Sequence, residues 1–343
     1  MAYTTINKST DYFNTKLYTG NAGTQSITGV GFKPDWVWIK NRDGTRSHYL
    51  FDAVRGVTKE LNSNNANDEN TNANGLTTFG TDGFTLGSEG EMNANSATFA
   101  SWNWKGGGGQ GSSNTDGSIN TTYTSVNTTA GFSISKYTGT GSNATVGHGL
   151  GVAPKMIIEK QIDSGSNDWG VYHASQGAGK YTKFNTTEAF SSHTGVWQNV
   201  EPTNTVFSLG NSSLANASSG THIAYCFAEK KGYSKFGSYT GNGNANGTFI
   251  YTGFKPSFIM LKGNNSENWM MYDNKREGYN VDNDSIHPNT NDAEGTADDI
   301  DILSNGFKIR RATGLLNDSG VSYYYMAFGQ SLVGSNNVPC TAR

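Results

Sequence analysis

The chain repeats one decapeptide. GFKPDWVWIK at residues 31–40 returns as GFKPSFIMLK at 253–262, and the related GVAPKMIIEK occupies 151–160. Each copy follows a Tyr-Thr-Gly and precedes two aromatic runs, at nearly constant distances. The landmarks recur as Tyr18, Pro34, Phe84 and Trp104, as Tyr137, Pro154, Phe207 and Phe227, and as Tyr239, Pro256, Phe307 and Phe328. Four landmarks in one order and at one spacing predict three tandem modules of about a hundred residues.

Each decapeptide contains a short run that is apolar on both faces, namely WVWI at 36–39, MII at 156–158 and FIML at 258–261. A run of this kind, introduced by proline and closed by lysine, is typical of a central strand in a sandwich. Clusters of Gly, Asn, Asp and Ser between the runs supply turns. The sequence therefore predicts an all-β fold of three tandem antiparallel β-sandwiches, of the jelly-roll or lectin-like type. The residues predicted to be buried in these strands are Trp36, Trp38, Ile157, Ile158, Ile259 and Leu261.

The composition of the joints predicts how the modules are connected. The predicted organisation is a sandwich at 1–104, a Gly/Ser/Asn-rich linker at 105–129, sandwiches at 130–234 and 235–332, and a C-terminal tail at 333–343. KGGGGQGSSNTDGS at 105–118 is predicted to be flexible, whereas the short joint at 229–235 predicts contact between the second and third modules. Such unequal joints argue against a threefold arrangement.

Charge and hydropathy exclude several classes of protein. Only 15% of the 343 residues are charged and the net charge is −3, so nucleic acid and anionic membranes are not predicted partners. The apolar runs are too short to span a bilayer, and the N-terminus lacks the pattern of a signal peptide. Two cysteines and six scattered histidines predict neither a disulfide framework nor a metal site, and no cofactor is predicted.

Catalytic groupings are weak in this sequence. Glu159 stands where the other modules have Ile39 and Leu261, inside an apolar run, and a buried carboxylate needs a partner. The alternative is that its face meets solvent or Lys183. Glycoside hydrolysis requires a second carboxylate, which the sequence does not identify, and Ser191-Ser192-His193 lacks a third triad member. An enzyme is therefore not predicted.

One polar position recurs after each central strand. It is occupied by Asp52, His173 and Asp273, each preceded by an aromatic residue. The favoured interpretation is a surface turn that accepts any polar residue, because aspartate and histidine exchange there. The alternative interpretation is a polar site that the chain uses three times.

Tryptophans outside the apolar runs are the candidates for ligand binding. Trp197, Trp169 and Trp269 lie among Asn, Ser, Asp and Gly, and Tyr272 lies close to the last of them. Flat rings beside amide side chains suit a carbohydrate, through stacking and hydrogen bonds to hydroxyls. Trp169 and Trp269 recur at similar offsets, which equally suits a core position, so Trp197 is the better candidate.

Several long motifs resemble a known family. GFKPDWVWIKNRDGTRSHYLFDAVRGVTKEL at 31–61, GLTTFGTDGFTLGSE at 75–89, FASWNWKGGG and VGHGLGVAPKMIIEK look like modules of virion proteins from tailed phages of marine bacteria, cyanophages among them. The resemblance covers nearly the whole chain and is least close in the third module. It implies a phage structural protein, often described as tail-fibre-like, and it carries no catalytic motif.

The resemblance implies a protein made in the host cytoplasm and displayed on the exterior of the virion, with other virion proteins as partners. Capsid decoration is narrowly favoured, because few residues flank the modules and no heptads or β-helix repeats predict a fibre shaft. A tail-fibre or receptor-binding protein that contacts host glycan is one alternative, and a glycan depolymerase is another. The sequence leaves homo-oligomerisation open.

Overall fold

A computed structural model describes residues 3–277, 280 and 282–334, without the side chains at 282, 283 and 298. Nearly all of its regular structure is antiparallel β-sheet, which confirms the all-β prediction. Most of the predicted tail at 333–343 lies outside the described residues. No helix in the described ranges is both long and apolar enough to cross a membrane.

The three stretches between the predicted joints are called segments 1, 2 and 3. Segment 1 contains β1 (Phe13–Thr19), β2 (Gln25–Thr28), β3 (Trp36–Asn41), β4 (Tyr49–Asp52), β5 (Lys59–Glu60), β6 (Asn70–Thr71), β7 (Leu76–Gly80), β8 (Gly83–Leu86), α1 (Gly90–Asn93) and β9 (Thr98–Trp104). A 3-10 turn at Ser9–Asp11 precedes β1. The strands form sheets in the orders β1-β9-β3-β4, β2-β8-β7 and β5-β6.

Segment 2 and the chain before it contain β10 (Tyr123–Asn127), β11 (Phe132–Thr138), β12 (Ala144–Gly147), β13 (Met156–Gln161), β14 (Trp169–His173), β15 (Lys180–Lys183), β16 (Ser191–Ser192), α2 (Thr194–Trp197), β17 (Val206–Leu209), α3 (Ser213–Asn216) and β18 (Thr221–Phe227). The sheets run β10-β11-β18-β13-β14-β15-β16 and β12-β17. Segment 3 contains β19 (Ser234–Thr240), β20 (Phe249–Tyr251), β21 (Lys255–Gly263), β22 (Met270–Asp273), β23 (Asp282–Ser285), β24 (Gly295–Leu303), β25 (Gly306–Ile309) and β26 (Ser322–Gln330).

One four-strand order occurs in every segment. The inner sheets contain β1-β9-β3-β4, β11-β18-β13-β14 and β19-β26-β21-β22, so the first and last strands of each segment pair beside its central strand. The central strands β3 and β13 are buried along their whole length. The six residues predicted to be buried in these strands are all buried, which confirms that prediction.

Alternate residues of each central strand enter two different cores. Trp36 and Trp38 join a central core, whereas Val37 and Ile39 join a core that belongs to segment 1 alone. The central core also takes Ile158 from segment 2 and Phe258 and Met260 from segment 3, together with other residues of all three segments. A run that is apolar on both faces therefore reflects a sheet covered on one side by its own segment and on the other by its neighbours.

Aromatic rings join the three segments at the end of the sheets where the central strands begin. Phe13 stacks on Phe328 with 5.5 Å between ring centroids, and Trp36 lies 5.8 Å from Phe227. Phe227 and Phe328 are 6.1 Å apart. Each segment therefore contacts both of the others. The unequal lengths of the two joints do not prevent these contacts, because packing of aromatic rings brings the sheets together.

The glycine-rich joint at 105–118 contains no helix or strand, and several of its glycines contact neighbouring residues. The backbone N–H groups of Gly106 and Gly108 donate to the buried Asp35 carboxylate over 2.8 and 3.0 Å. A side chain at Gly111 would place its Cβ 2.0 Å from the Thr124 carbonyl oxygen, so the close approach requires glycine. Strand β10 lies inside the predicted linker at 105–129 and pairs with β11. The glycines therefore allow the backbone of the joint to approach neighbouring residues closely.

Three lysines close the opposite ends of the central strands. Lys40, Lys160 and Lys262 are buried, and each ammonium donates to the carbonyl of the next residue, over 2.7, 2.6 and 2.8 Å. Burial lowers the pKa of Lys40 and of Lys262 to about 8, partly offset by nearby carboxylates. The constant spacing from proline to lysine in the three decapeptides therefore has a structural cause. It places a lysine where its ammonium group donates hydrogen bonds to backbone carbonyl oxygens at the end of the strand.

Candidate binding site

The aromatic residues predicted to bind a ligand lie in the interior. Trp169, Trp197, Trp269 and Tyr272 all have exposed fractions of 3% or less. The indole N–H of Trp169 donates to the Asn62 carbonyl oxygen over 2.9 Å. The prediction that these rings form a ligand-binding face is therefore wrong. Their polar neighbours in sequence form the turns, while the rings themselves point into the cores.

A pocket with a volume of about 580 Å³ lies beside Trp197. Its lining is made of hydroxyl, amide and imidazole side chains together with one glycine, namely Asn143, Ser192, His193, Thr194, Gly195, Gln198 and Asn211. These groups donate and accept hydrogen bonds without fixed charge, apart from the imidazole. The pocket therefore suits an uncharged ligand that is rich in hydroxyl groups.

A short helix builds this pocket, and tight backbone contacts hold it. Helix α2 is capped by His193, whose Nδ1 accepts from the Gly195 N–H over 3.1 Å. Trp197 anchors the helix from below by packing edge-on against Tyr172 and Phe207. Gln198 follows with a left-handed φ of 57°, and its side chain donates to the Ala144 carbonyl oxygen over 3.1 Å. The buried Trp197 thus positions the lining instead of touching a ligand.

Helix α2 distinguishes segment 2 from the other two. Helices α1 and α3 each lie just before the last strand of their segment, whereas α2 lies before β17 and has no counterpart among the described helices. Sequence comparison of the repeats could have located this pocket, because Trp197 is a tryptophan without an equivalent in the other segments. This unmatched tryptophan is not itself part of the pocket lining, but it packs directly beneath it.

The chemistry required for glycoside hydrolysis is missing from the pocket lining. None of the lining residues is a carboxylate, and hydrolysis of this kind uses a pair of them. His193 uses one ring nitrogen to cap α2, so Ser192 and His193 line the pocket as hydrogen-bonding groups. In the described part of the chain, no group of three or more His, Cys, Asp or Glu residues could hold a metal ion.

Glu159 is fully buried and bonded to a histidine, so it meets neither solvent nor Lys183. His222 donates from Nδ1 to Glu159 Oε1 over 2.5 Å, and His222 Nε2 accepts from the Ala217 N–H over 3.1 Å. Burial raises the pKa of Glu159, against the opposing effect of His222. Glu159 Oε2 has no hydrogen-bond partner within the described chain.

The polar position that recurs after the central strand lies in contacts between segments. Tyr225 donates to Asp52 Oδ2 over 2.8 Å, and the Arg55 guanidinium approaches the same oxygen at 2.5 Å. Asp52, His173 and Asp273 are all buried. The favoured interpretation as a surface turn is therefore wrong. One polar position is used three times, and it joins segments rather than binding a substrate.

The fold and this pocket define an all-β protein in which several antiparallel sheets enclose one aromatic core and one segment carries a polar cavity. The model of the family described as Domain of unknown function (DUF7483) matches residues 8–331. The chain belongs to this family, and the match treats all three segments as one unit. A comparison with curated proteins finds no match.

Proposed function

We propose that this protein is a non-enzymatic structural protein of a tailed phage, displayed on the exterior of the virion as a capsid decoration or head appendage. Resemblance of its repeated motifs to phage virion modules supports this. The observation that carries the proposal is the position of the ionisable groups that the repeats share. Asp52, His173 and Asp273 are buried between segments, where they hold the molecule together.

We also propose that the segments are copies of one sandwich module, with the boundaries 1–104, 130–234 and 235–332. A tyrosine contact supports this at equivalent positions. Tyr18, Tyr137 and Tyr239 each donate to a backbone carbonyl, over 2.7, 2.8 and 2.7 Å. Each tyrosine ring also stacks on a ring of the last strand, with centroids 5.1 Å apart in all three cases.

Particles that lack this chain test the proposed function. A decoration protein stabilises the shell through many weak contacts added over identical copies. Deletion particles should therefore burst at a lower temperature or a milder osmotic shock than complete particles, while adsorption to host cells is unchanged. Adding the purified protein back should restore the burst temperature. Deletion particles with normal heads and failed adsorption would overturn decoration in favour of receptor binding.

Receptor binding is the second candidate, and the polar pocket beside α2 favours it. Its amide and hydroxyl lining matches the hydroxyl groups of a host-surface glycan. The purified protein should then bind host-surface glycan, and Asn143→Ala combined with Asn211→Ala should weaken that binding. Asn204→Ala, in an exposed loop outside the pocket, is the matched control. Equal binding by both variants would remove this candidate. The third alternative, a glycan depolymerase, gains no support from a lining without carboxylates.

A further inference from the structure

The turns that enter the three central strands each carry a lysine. Lys33 and Lys255 precede the prolines of segments 1 and 3, and Lys155 follows the proline of segment 2. Because the aromatic contacts bring these strand ends together, the three lysines belong to one end of the molecule. This surface is called the basic end, and it also includes Lys105, Lys230 and Lys231, which follow β9 and β18.

Contacts with the chain hold several of these lysines in place. Lys33 donates to the Gly108 carbonyl oxygen over 3.1 Å. The ammonium groups of Lys105 and Lys231 lie 5.7 and 4.6 Å from tyrosine ring centroids. Within the described chain, none of the six lysines of the basic end forms an ion pair shorter than 4.0 Å. The exposed apolar residues Val152, Tyr251 and Leu332 lie at the same end.

The turns that leave the three central strands each carry a carboxylate. Asp43 follows β3, Asp163 follows β13 and Glu267 follows β21, and all three are exposed. Asp292 lies beside them, because the Glu294 N–H donates to the carbonyl oxygen of Arg42 in the turn after β3. This surface is called the acidic end. Arg42 at this end is paired with Glu294 over 2.7 Å, and the lysines that close the three central strands are buried beneath the turns.

At the entering turns each segment contributes a lysine and at the leaving turns a carboxylate, so the exposed charges of the two ends are mostly opposite in sign, although Glu229 lies beside Lys230 at the basic end. We propose that copies of this chain associate head to tail, with the acidic end of one copy on the basic end of the next. The complementary charges both belong to this chain, which identifies a second copy as the occupant. Because the two patches lie at opposite ends of the molecule, repeating this contact adds copies along one axis and produces a column. This inference does not depend on the proposed function.

Charge reversal at one end tests the proposal. The wild-type protein should form concentration-dependent oligomers in sedimentation velocity at about 0.02 M salt, and about 1 M salt should dissociate them because the screening length falls to about 3 Å. Lys155→Glu with Lys255→Glu should give a monomer. Glu267→Lys with Asp292→Lys should also give a monomer, and neither of these side chains caps a backbone N–H in the described chain.

Mixing the two monomeric variants is the decisive experiment. The reversed basic end of one variant then matches the reversed acidic end of the other, so the mixture should recover the oligomers that each variant lost. Lys16→Glu with Lys136→Glu, at the middle of β1 and β11, is the matched control and should associate like the wild type. A wild-type protein that stays monomeric at low salt would overturn the proposal. Loss of association in the control, or no recovery in the mixture, would also overturn it.

A nucleic acid or another polyanion is the competing occupant of the basic end. Heparin and a short DNA duplex should leave the sedimentation of the variant carrying Lys155→Glu and Lys255→Glu unchanged. They should also bind the wild type more weakly than a second copy does. Tight binding of either polyanion to the wild type, lost in this variant and without self-association, would assign the basic end to polyanions and overturn the head-to-tail column.

Discussion

The indole N–H of Trp102, in the last strand of segment 1, donates to the buried carboxylate of Asp273 in segment 3 over 2.9 Å. Tyr225 of segment 2 bonds Asp52 of segment 1 in the same way, and His173 of segment 2 donates to the Tyr325 carbonyl oxygen of segment 3 over 3.1 Å. Each segment thus contributes one polar group to the last strand of another. The three contacts run round the molecule in one direction and close into a ring.

Removing Asp273 should destabilise the protein strongly. Asp273→Ala leaves the buried Arg276 guanidinium without the carboxylate that it approaches at 2.6 Å. Breaking one partner of a buried pair costs about 3–5 kcal/mol. Asp301→Ala is the control, because its partner Arg310 is partly exposed and such pairs contribute about 0–1 kcal/mol. Urea denaturation of both variants measures the difference. Equal losses would mean that the segment 1–segment 3 contact contributes little.

The buried Glu159–His222 pair should be replaceable by apolar residues. Segment 1 has Ile39 and Phe99 at the equivalent places. His222→Phe alone should destabilise the protein by about 3–5 kcal/mol, because Glu159 loses the one hydrogen-bond partner that it has among the described residues. Adding Glu159→Ile should recover that loss, since apolar replacement of a buried pair is often neutral or stabilising. The free energies of unfolding of the two single variants and the double variant form the measurement. Additive losses would contradict the prediction.

The carboxyl of Glu159 predicts one pH dependence. Burial raises its pKa above the ordinary value of 4.5, so the folded protein binds this proton more tightly than the unfolded chain does. Its contribution is therefore complete below about pH 4.5 and is lost as the pH rises through the folded pKa. Glu159→Gln keeps the shape without the ionisation. The stability of this variant relative to the wild type should increase between pH 4 and pH 8, measured by denaturant titration. A constant difference would contradict it.

His173 predicts the opposite pH dependence. Burial lowers its pKa from 6.5 to about 4, so the folded protein binds this proton less tightly than the unfolded chain does. Its contribution to stability is present above about pH 6.5 and is lost as the pH falls towards 4. At about 1.36 kcal/mol per pKa unit, the loss approaches roughly 3 kcal/mol. His173→Gln should reduce the slope of stability against pH in this window. The same slope in both proteins would show that other groups cause it.

The anchored joint predicts resistance to protease. Asp35→Ala removes the carboxylate that holds Gly106 and Gly108, so subtilisin should cut within 105–118 in this variant and leave the wild type intact there. Asp82→Ala is the matched control, because Asp82 accepts from the N–H groups of two glycines, Gly29 and Gly31, that lie outside the joint. Mass spectrometry locates the cuts. Rapid cleavage of the wild type at 105–118 would show that the contacts do not restrain the joint.

Some of this architecture could be predicted from the sequence, and the reason for the remainder is physical. Spacing and alternation located the central strands and the burial of Trp36 and Trp38. They could not show that both tryptophans face a core shared with the other segments. A run that is apolar on both faces indicates that both sides of the strand are buried, but it does not identify the residues that pack there. The prediction that Trp169 and Trp269 bind a ligand failed for a related reason. Their polar neighbours in the sequence indicate a turn, but they do not indicate whether the ring points to solvent or into the core.

The candidate pocket was harder to predict than the strands. Its lining residues come from four separate stretches around 143, 192–195, 198 and 211, and only the fold brings them together. The polar position after the central strand was visible as a repeat, but Tyr225 and Trp102, the partners of its two aspartates, lie in other segments. Contacts between residues so far apart along the chain leave no local pattern in a single sequence.

The ring closed by these contacts has only two peptide connections. Segment 1 meets segment 3 with no covalent link between them, yet Trp102 and Asp273 form a contact like the one between the covalently linked segments 1 and 2. Covalent continuity is therefore not what brings the sheets together. The side-chain contacts therefore join two segments that the peptide chain leaves unconnected, and they restrain the relative positions of all three sheets.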